Sequence, residues 1–94
     1  FFLTFNVTKH RAGDPNLDES CVLEPGTHRA CPLRSVIAYN YGEFWDYPNV
    51  RTDLFEMDES VSDEVLDRIR RGALVSDRTK PRFQWMIRAV LAGR

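Results

Sequence analysis

Phe1, Leu3, Phe5 and Val7 alternate with Phe2, Thr4, Asn6 and Thr8. A period of two predicts a strand with one buried face. Residues 11–32 show no such period. They are punctuated by Gly13, Asp14-Pro15-Asn16, Glu24-Pro25-Gly26 and Pro32, which predicts an irregular stretch interrupted at most by a short strand at Cys21–Leu23. A loop that long in a small domain is expected to be functional, mobile or pinned. Leu33 to Tyr41 reads as a second strand, because Val36-Ile37-Ala38-Tyr39 is apolar on both faces, as a central strand is. Gly42 to Asn49 reads as a turn region and Val50 to Met57 as a third strand with weaker alternation.

The period then changes. Ser62 suits an N-cap, Asp63 and Glu64 fill the first turn, and Arg68, Arg70 and Arg71 the last. Gly72 stands where a helix-ending glycine is expected. Val65, Leu66 and Ile69 form the inner face of that helix. Glu64–Arg68 and Asp67–Arg71 have the i,i+4 spacing of favourable ion pairs. A second helix is predicted from about Lys80 to Ala92, with Pro81 tolerated in its first turn. Its stripe is Phe83, Met86, Ile87, Val90 and Leu91. The expected fold is α+β: a small antiparallel sheet of about three strands followed by two C-terminal helices packed on one face.

With 94 residues the chain forms one domain, 1–94, with room for one modest core. Its 43% hydrophobic and 29% charged residues argue against disorder, collagen-like repeats and a disulfide-dense mini-protein. No apolar run approaches the ~20 residues that span a bilayer, so no membrane partner is expected. Phe1 to Val7 lacks the basic start and cleavage site of a signal peptide, and a cytoplasmic location is expected. Net charge is −1, but its distribution is polar: residues 1–67 hold five basic and thirteen acidic side chains, residues 68–94 eight basic and one acidic. The two ends neutralise each other within the fold, or a basic surface meets an acidic partner.

Five aromatics crowd nine residues, Tyr39, Tyr41, Phe44, Trp45 and Tyr47. Such a segment supplies rigid contact area for recognition, unless alternation turns it into core. On the second helix Trp85, Ala89 and Ala92 lie opposite the core stripe, with Arg82 and Arg88 beside them. A large aromatic among small neighbours with an Arg rim has the make-up of an interface hot spot. The leading expectation is a non-catalytic protein-binding module, an accessory subunit or inhibitor. It uses Trp85, Arg82 and Arg88 with Tyr41, Trp45 and Tyr47, against a protein with an acidic surface or a second copy of the chain.

Two alternatives follow from other residues. Arg70, Arg71, Arg78 and Lys80 in the basic C-terminal third suit nucleic-acid phosphates. All the Cys and His residues, His10, Cys21, His28 and Cys31, fall between positions 10 and 31. They suit solvated side chains and free thiols, a Cys21–Cys31 disulfide in a secreted carbohydrate- or protein-binding domain, or a zinc ion. Among these, metal ligation is the least favoured and no cofactor is expected. No nucleotide-loop, zinc-protease or nucleophile-elbow motif occurs, so no enzyme activity is expected.

Overall fold

The computed structural model describes residues 2–45 and 60–93. They form β1 (Phe2–Lys9), β2 (Val22–Leu23), β3 (Ser35–Trp45), α1 (Asp63–Val75) and α2 (Pro81–Ala92). The sheet is antiparallel with strand order β1-β3-β2. The α+β architecture of a three-stranded sheet followed by two helices is therefore present. Its third strand, however, is the short Val22–Leu23 piece, which pairs with Ser35 and Val36. The strand expected at 50–57 lies outside the described residues.

β3 runs four residues beyond Tyr41, so the aromatic segment continues the sheet up to Trp45 instead of turning at Gly42. A large bulge accommodates the extra length. Thr4 pairs with Glu43 and Asn6 with Ala38, so Phe5 alone faces Tyr39 to Gly42. The bulge resets the alternation. Tyr39 and Gly42 both lie buried, while Asn40 and Tyr41 are turned out. Gly42 is required by packing: a Cβ there would sit 2.7 Å from the Phe5 ring and 3.2 Å from Phe83.

One sheet face carries the core. Leu23, Ile37 and Tyr39 join Cys21, Cys31, Ala73 and Ile87 in a buried cluster, against which Leu3, Phe5, Val65 and Ile69 pack. Tyr39 is 0% exposed; its ring meets Phe5 edge-on at 5.0 Å and its hydroxyl donates to the Ile69 carbonyl at 2.6 Å. That bond ties the sheet to α1.

α1 begins as its cap residue dictates, with Ser62 Oγ accepting from the Val65 N–H at 3.2 Å and Asp63 and Glu64 in the first turn. It does not end at Gly72. The helix continues to Val75, and the N–H of its C-cap Ser76 donates to the Gly72 carbonyl. Gly72 is interior and buried because α1 passes close over Ser20, Cys21 and Tyr39 there. Of the two expected ion pairs, Asp67–Arg71 forms at 2.8 Å. Arg68 instead donates across to the Val22 carbonyl at 2.6 Å, locking β2 against the helix.

α2 is anchored by Phe83 and Ile87, both buried. Gln84 Nε2 donates to the carbonyls of Ala73 and Ser76, at 3.2 and 3.1 Å. It thereby satisfies acceptors that the end of α1 leaves open. Val90, placed in the core stripe by its spacing, is 44% exposed.

The 11–32 loop is pinned from several sides. Gly13 and Gly26 take positive φ, 84° and 83°, where L side chains are strained. Cys21 and Cys31 are buried as free thiols. Asp18 accepts from the Ser20 N–H and hydroxyl, at 3.0 and 2.6 Å, and from the Ser76 hydroxyl across the chain.

Candidate functional site

α2 presents the surface of greatest interest. Phe83 and Ile87 fix its inner side. The outer side is then set by the 3.6-residue period: Trp85, Ala89 and Ala92 fall together, flanked by Arg82 and Arg88, and all five are exposed. Trp85 is 70% exposed. Arg82 Cζ lies 4.9 Å from the Phe83 ring centroid, so its guanidinium is held on the helix by a cation–π contact instead of swinging free. Lys80 Nζ approaches the same ring at 5.4 Å. No acidic residue occurs in α2.

Beside this face lies an apolar groove of about 350 Å³ between β1 and the two helices, lined by Leu3, Phe5, Leu66, Ile69, Met86 and Val90, with Arg70 on its wall. Met86 and Val90 lie on the flank of α2 between its core side and Trp85. Apolar surface therefore extends from the groove around α2 towards Ala89 and Trp85. The groove joins residues from both ends of the described chain, so periodicity alone did not expose it. The 44% exposure of Val90 is its mark on the helix.

Tyr41 does not join Trp85. It is 61% exposed and lines a cleft on the sheet face turned away from the helices, with Val36 and Ala38. Trp45 ends β3 opposite Phe2, and only its backbone is described. Tyr47 lies outside the described residues. The expected pairing of Trp85 with an aromatic from 41–47 thus has no counterpart at Tyr41.

The basic residues expected to meet phosphates are dispersed. Arg70 walls the groove, Arg71 pairs with Asp67, Lys80 approaches Phe83, and Arg78 lines the cleft beside Tyr41. The Cys and His candidates occupy distinct settings too. His10 Nε2 is 3.1 Å from Glu19 Oε2, and His28 Nδ1 accepts the Ala30 N–H at 3.0 Å. Cys21 and Cys31 belong to the core cluster. Among the described residues no three His, Cys, Asp or Glu side chains gather as metal ligands would. No helix among them is long and apolar enough to cross a membrane.

The perturbed ionisations lie in the framework. Burial alone would raise Asp18, but hydrogen bonds from Ser20 and Ser76, with the charge of Arg78, hold it below the ordinary carboxyl value. Burial pushes the Cys21 thiol up, against an opposing hydrogen bond with Tyr39 and the charge of Arg68. Burial, then the neighbouring Cys21, drives the Tyr39 hydroxyl far above its ordinary value. The two kinds of shift act at opposite ends of the pH range. The depressed Asp18 stabilises the fold above the ordinary carboxyl pKa of about 3.9, and that contribution is lost as pH falls through its folded value. The raised Cys21 favours the fold fully below the ordinary thiol pKa of about 8.5, and loses that contribution as pH climbs. Equilibrium unfolding followed against pH is expected to show both limbs. Asp18→Asn flattens the acid limb and leaves the alkaline one; an unchanged acid limb would remove Asp18 from the account.

No protein-family model, no curated protein and no solved structure matches the chain.

Proposed function

We propose that this protein is a non-catalytic protein-binding module that docks through the outer face of α2. The observation that carries the reading is Trp85, 70% exposed on a helix whose inner side is anchored by buried Phe83 and Ile87. Exposing an indole to water is unfavourable for the isolated domain, and burying it in a partner recovers that energy. Arg82 and Arg88 flank it on a helix without acidic residues. The partner therefore presents carboxylates around an apolar pocket that receives the indole. The adjoining groove takes a second apolar side chain, with Arg70 at its wall. The helical backbone that carries these side chains is already ordered, so its freedom is not lost again on association.

The test compares proteins retained by the immobilised chain with those retained by Trp85→Ala and Arg82→Ala/Arg88→Ala, followed by affinity measurement with the purified partner. Trp85→Ala is expected to weaken binding by about 2 kcal/mol, roughly 30-fold in Kd, with the melting temperature unchanged. The arginine pair is expected to act chiefly on the association rate and its salt dependence. Sedimentation velocity separates a second copy of the chain from a different protein as the occupant. A Trp85→Ala variant that binds as before, or that unfolds, removes the reading.

A further inference from the structure

We propose that the cleft on the sheet face away from the helices binds a small organic anion: an oxyanion, carboxylate or phosphate ester, carried on a single flat apolar ring. This is independent of the α2 surface. The cleft measures about 270 Å³, near the lower end of the roughly 300–1,000 Å³ usual for small-molecule sites, so its ligand is about the size of one substituted ring.

Three cations line it from two separate parts of the chain: Lys9 at the end of β1 with Arg11 just beyond, and Arg78 in the turn between α1 and α2. Two carboxylates, Asp14 and Asp18, line it as well, but both are engaged within the fold. Asp14 Oδ1 accepts the Asn16 N–H at 2.9 Å, and Asp18 holds Ser20 and Ser76. Asp18 also draws on the charge of Arg78. Lys9 and Arg11 have no carboxylate within ion-pair distance among the described residues. Both acids keep their charge, with Asp18 facing Arg78, so three cations against two carboxylates leave the lining with a net charge of +1, carried on the side of Lys9 and Arg11. A guanidinium offers the planar fork that fits a carboxylate or phosphate.

The rest of the lining suits the body of such a ligand. Val36 and Ala38 supply an apolar floor from β3, and Tyr41 supplies an aromatic wall, 61% exposed, on which a flat ring stacks. The bulge at Phe5 is what frees Tyr41 for this. By letting Tyr39 and Gly42 both stay on the buried side, it turns Asn40 and Tyr41 outward between them.

The experiment is a titration of the ¹⁵N-labelled whole chain with benzoate, phenyl phosphate, inorganic phosphate and benzamidine, followed by amide shifts. Benzoate and phenyl phosphate are expected to give saturable shifts at Asn16, Ala38 and Tyr41, with affinity at least about tenfold above inorganic phosphate. Benzamidine, the cationic counterpart, gives none. The tighter of the two ring anions identifies the head group. Lys9→Gln/Arg11→Gln, at exposed positions, keeps the wild-type circular dichroism and lowers affinity at least about tenfold, since each lost contact to a charged group is a strong one. Arg82→Gln, on α2, leaves it unchanged. The proposal is overturned by absence of saturation below about 10 mM, by inorganic phosphate binding as tightly as the ring anions, or by full affinity in the double variant.

Discussion

Tyr39→Ala is expected to lower the folding free energy by about 4 kcal/mol, within the roughly 3–5 kcal/mol range for truncating a buried aromatic. Three losses combine at this one site. A fully buried ring disappears from the middle of the central strand, leaving a cavity against Phe5. The Ile69 carbonyl loses the donor that joins the sheet to α1. The Cys21 thiol loses its hydrogen-bonding partner. A domain of this size has a net stability of only about 5–14 kcal/mol, so the loss removes between about a quarter and four-fifths of it. Urea denaturation gives the value directly. Tyr39→Phe separates the parts: the ring stays, and the remaining loss, about 1–2 kcal/mol, is that of the hydroxyl. A Tyr39→Ala midpoint close to the wild type would show that Tyr39 does not hold the two layers together.

The second large effect is expected at Gly72. By helix propensity alone, replacing a mid-helix glycine stabilises, by up to about 1 kcal/mol for alanine. Packing here opposes that. An added Cβ meets the Tyr39 hydroxyl, lies 2.8 Å from Cys21 Cβ, and 3.0 Å from the Ser20 backbone oxygen. Neither the backbone oxygen nor a buried Cβ yields as the tip of a long side chain does. Overpacking of this kind destabilises by about 1–3 kcal/mol, which outweighs the propensity gain. Gly72→Val, larger and stiffer at χ1, is expected to lose about 3 kcal/mol, with Gly72→Ala in between. Thermal unfolding of the two variants orders them. A Gly72→Ala chain more stable than the parent would mean that the helix moves off the sheet without penalty.

Gly72 also shows where local reading of the chain stops. A glycine after Arg70-Arg71 has every mark of a helix end, and the end is in fact four residues later at Ser76. The residue is glycine for the sake of Cys21 and Tyr39, distant neighbours that no window around position 72 contains. The same limit explains β3. Alternation and turn residues placed its start well, but its continuation through Gly42 depends on the Phe5 ring occupying the space a side chain would need. Features governed by neighbours a few residues away were legible: the Ser62 cap, the period of α2, the short strand near Cys21, and the alternation of β1 at Leu3 and Phe5, though not at Val7, which the period placed on the buried face and which is 47% exposed. So was the outward placement of Trp85, Arg82 and Arg88, because a helix period sets it. The 58-residue link from Asp18 to Ser76 was not, nor were the groove and the cleft, each assembled from separated segments.

The pairing of β1 with β3 has a consequence for how the protein is made. Lys9 pairs with Ser35 and Phe2 with Trp45. A chain growing at about 5–20 residues per second needs roughly 2–7 s between completing Lys9 and completing Trp45. Throughout that interval Leu3 and Phe5 have no strand to lie against. α1 and α2, built from near-neighbour bonds, form without such a wait. β1 is thus held in abeyance until the last residue of β3 emerges. During that interval a chaperone meets β1 through its uncovered Leu3 and Phe5.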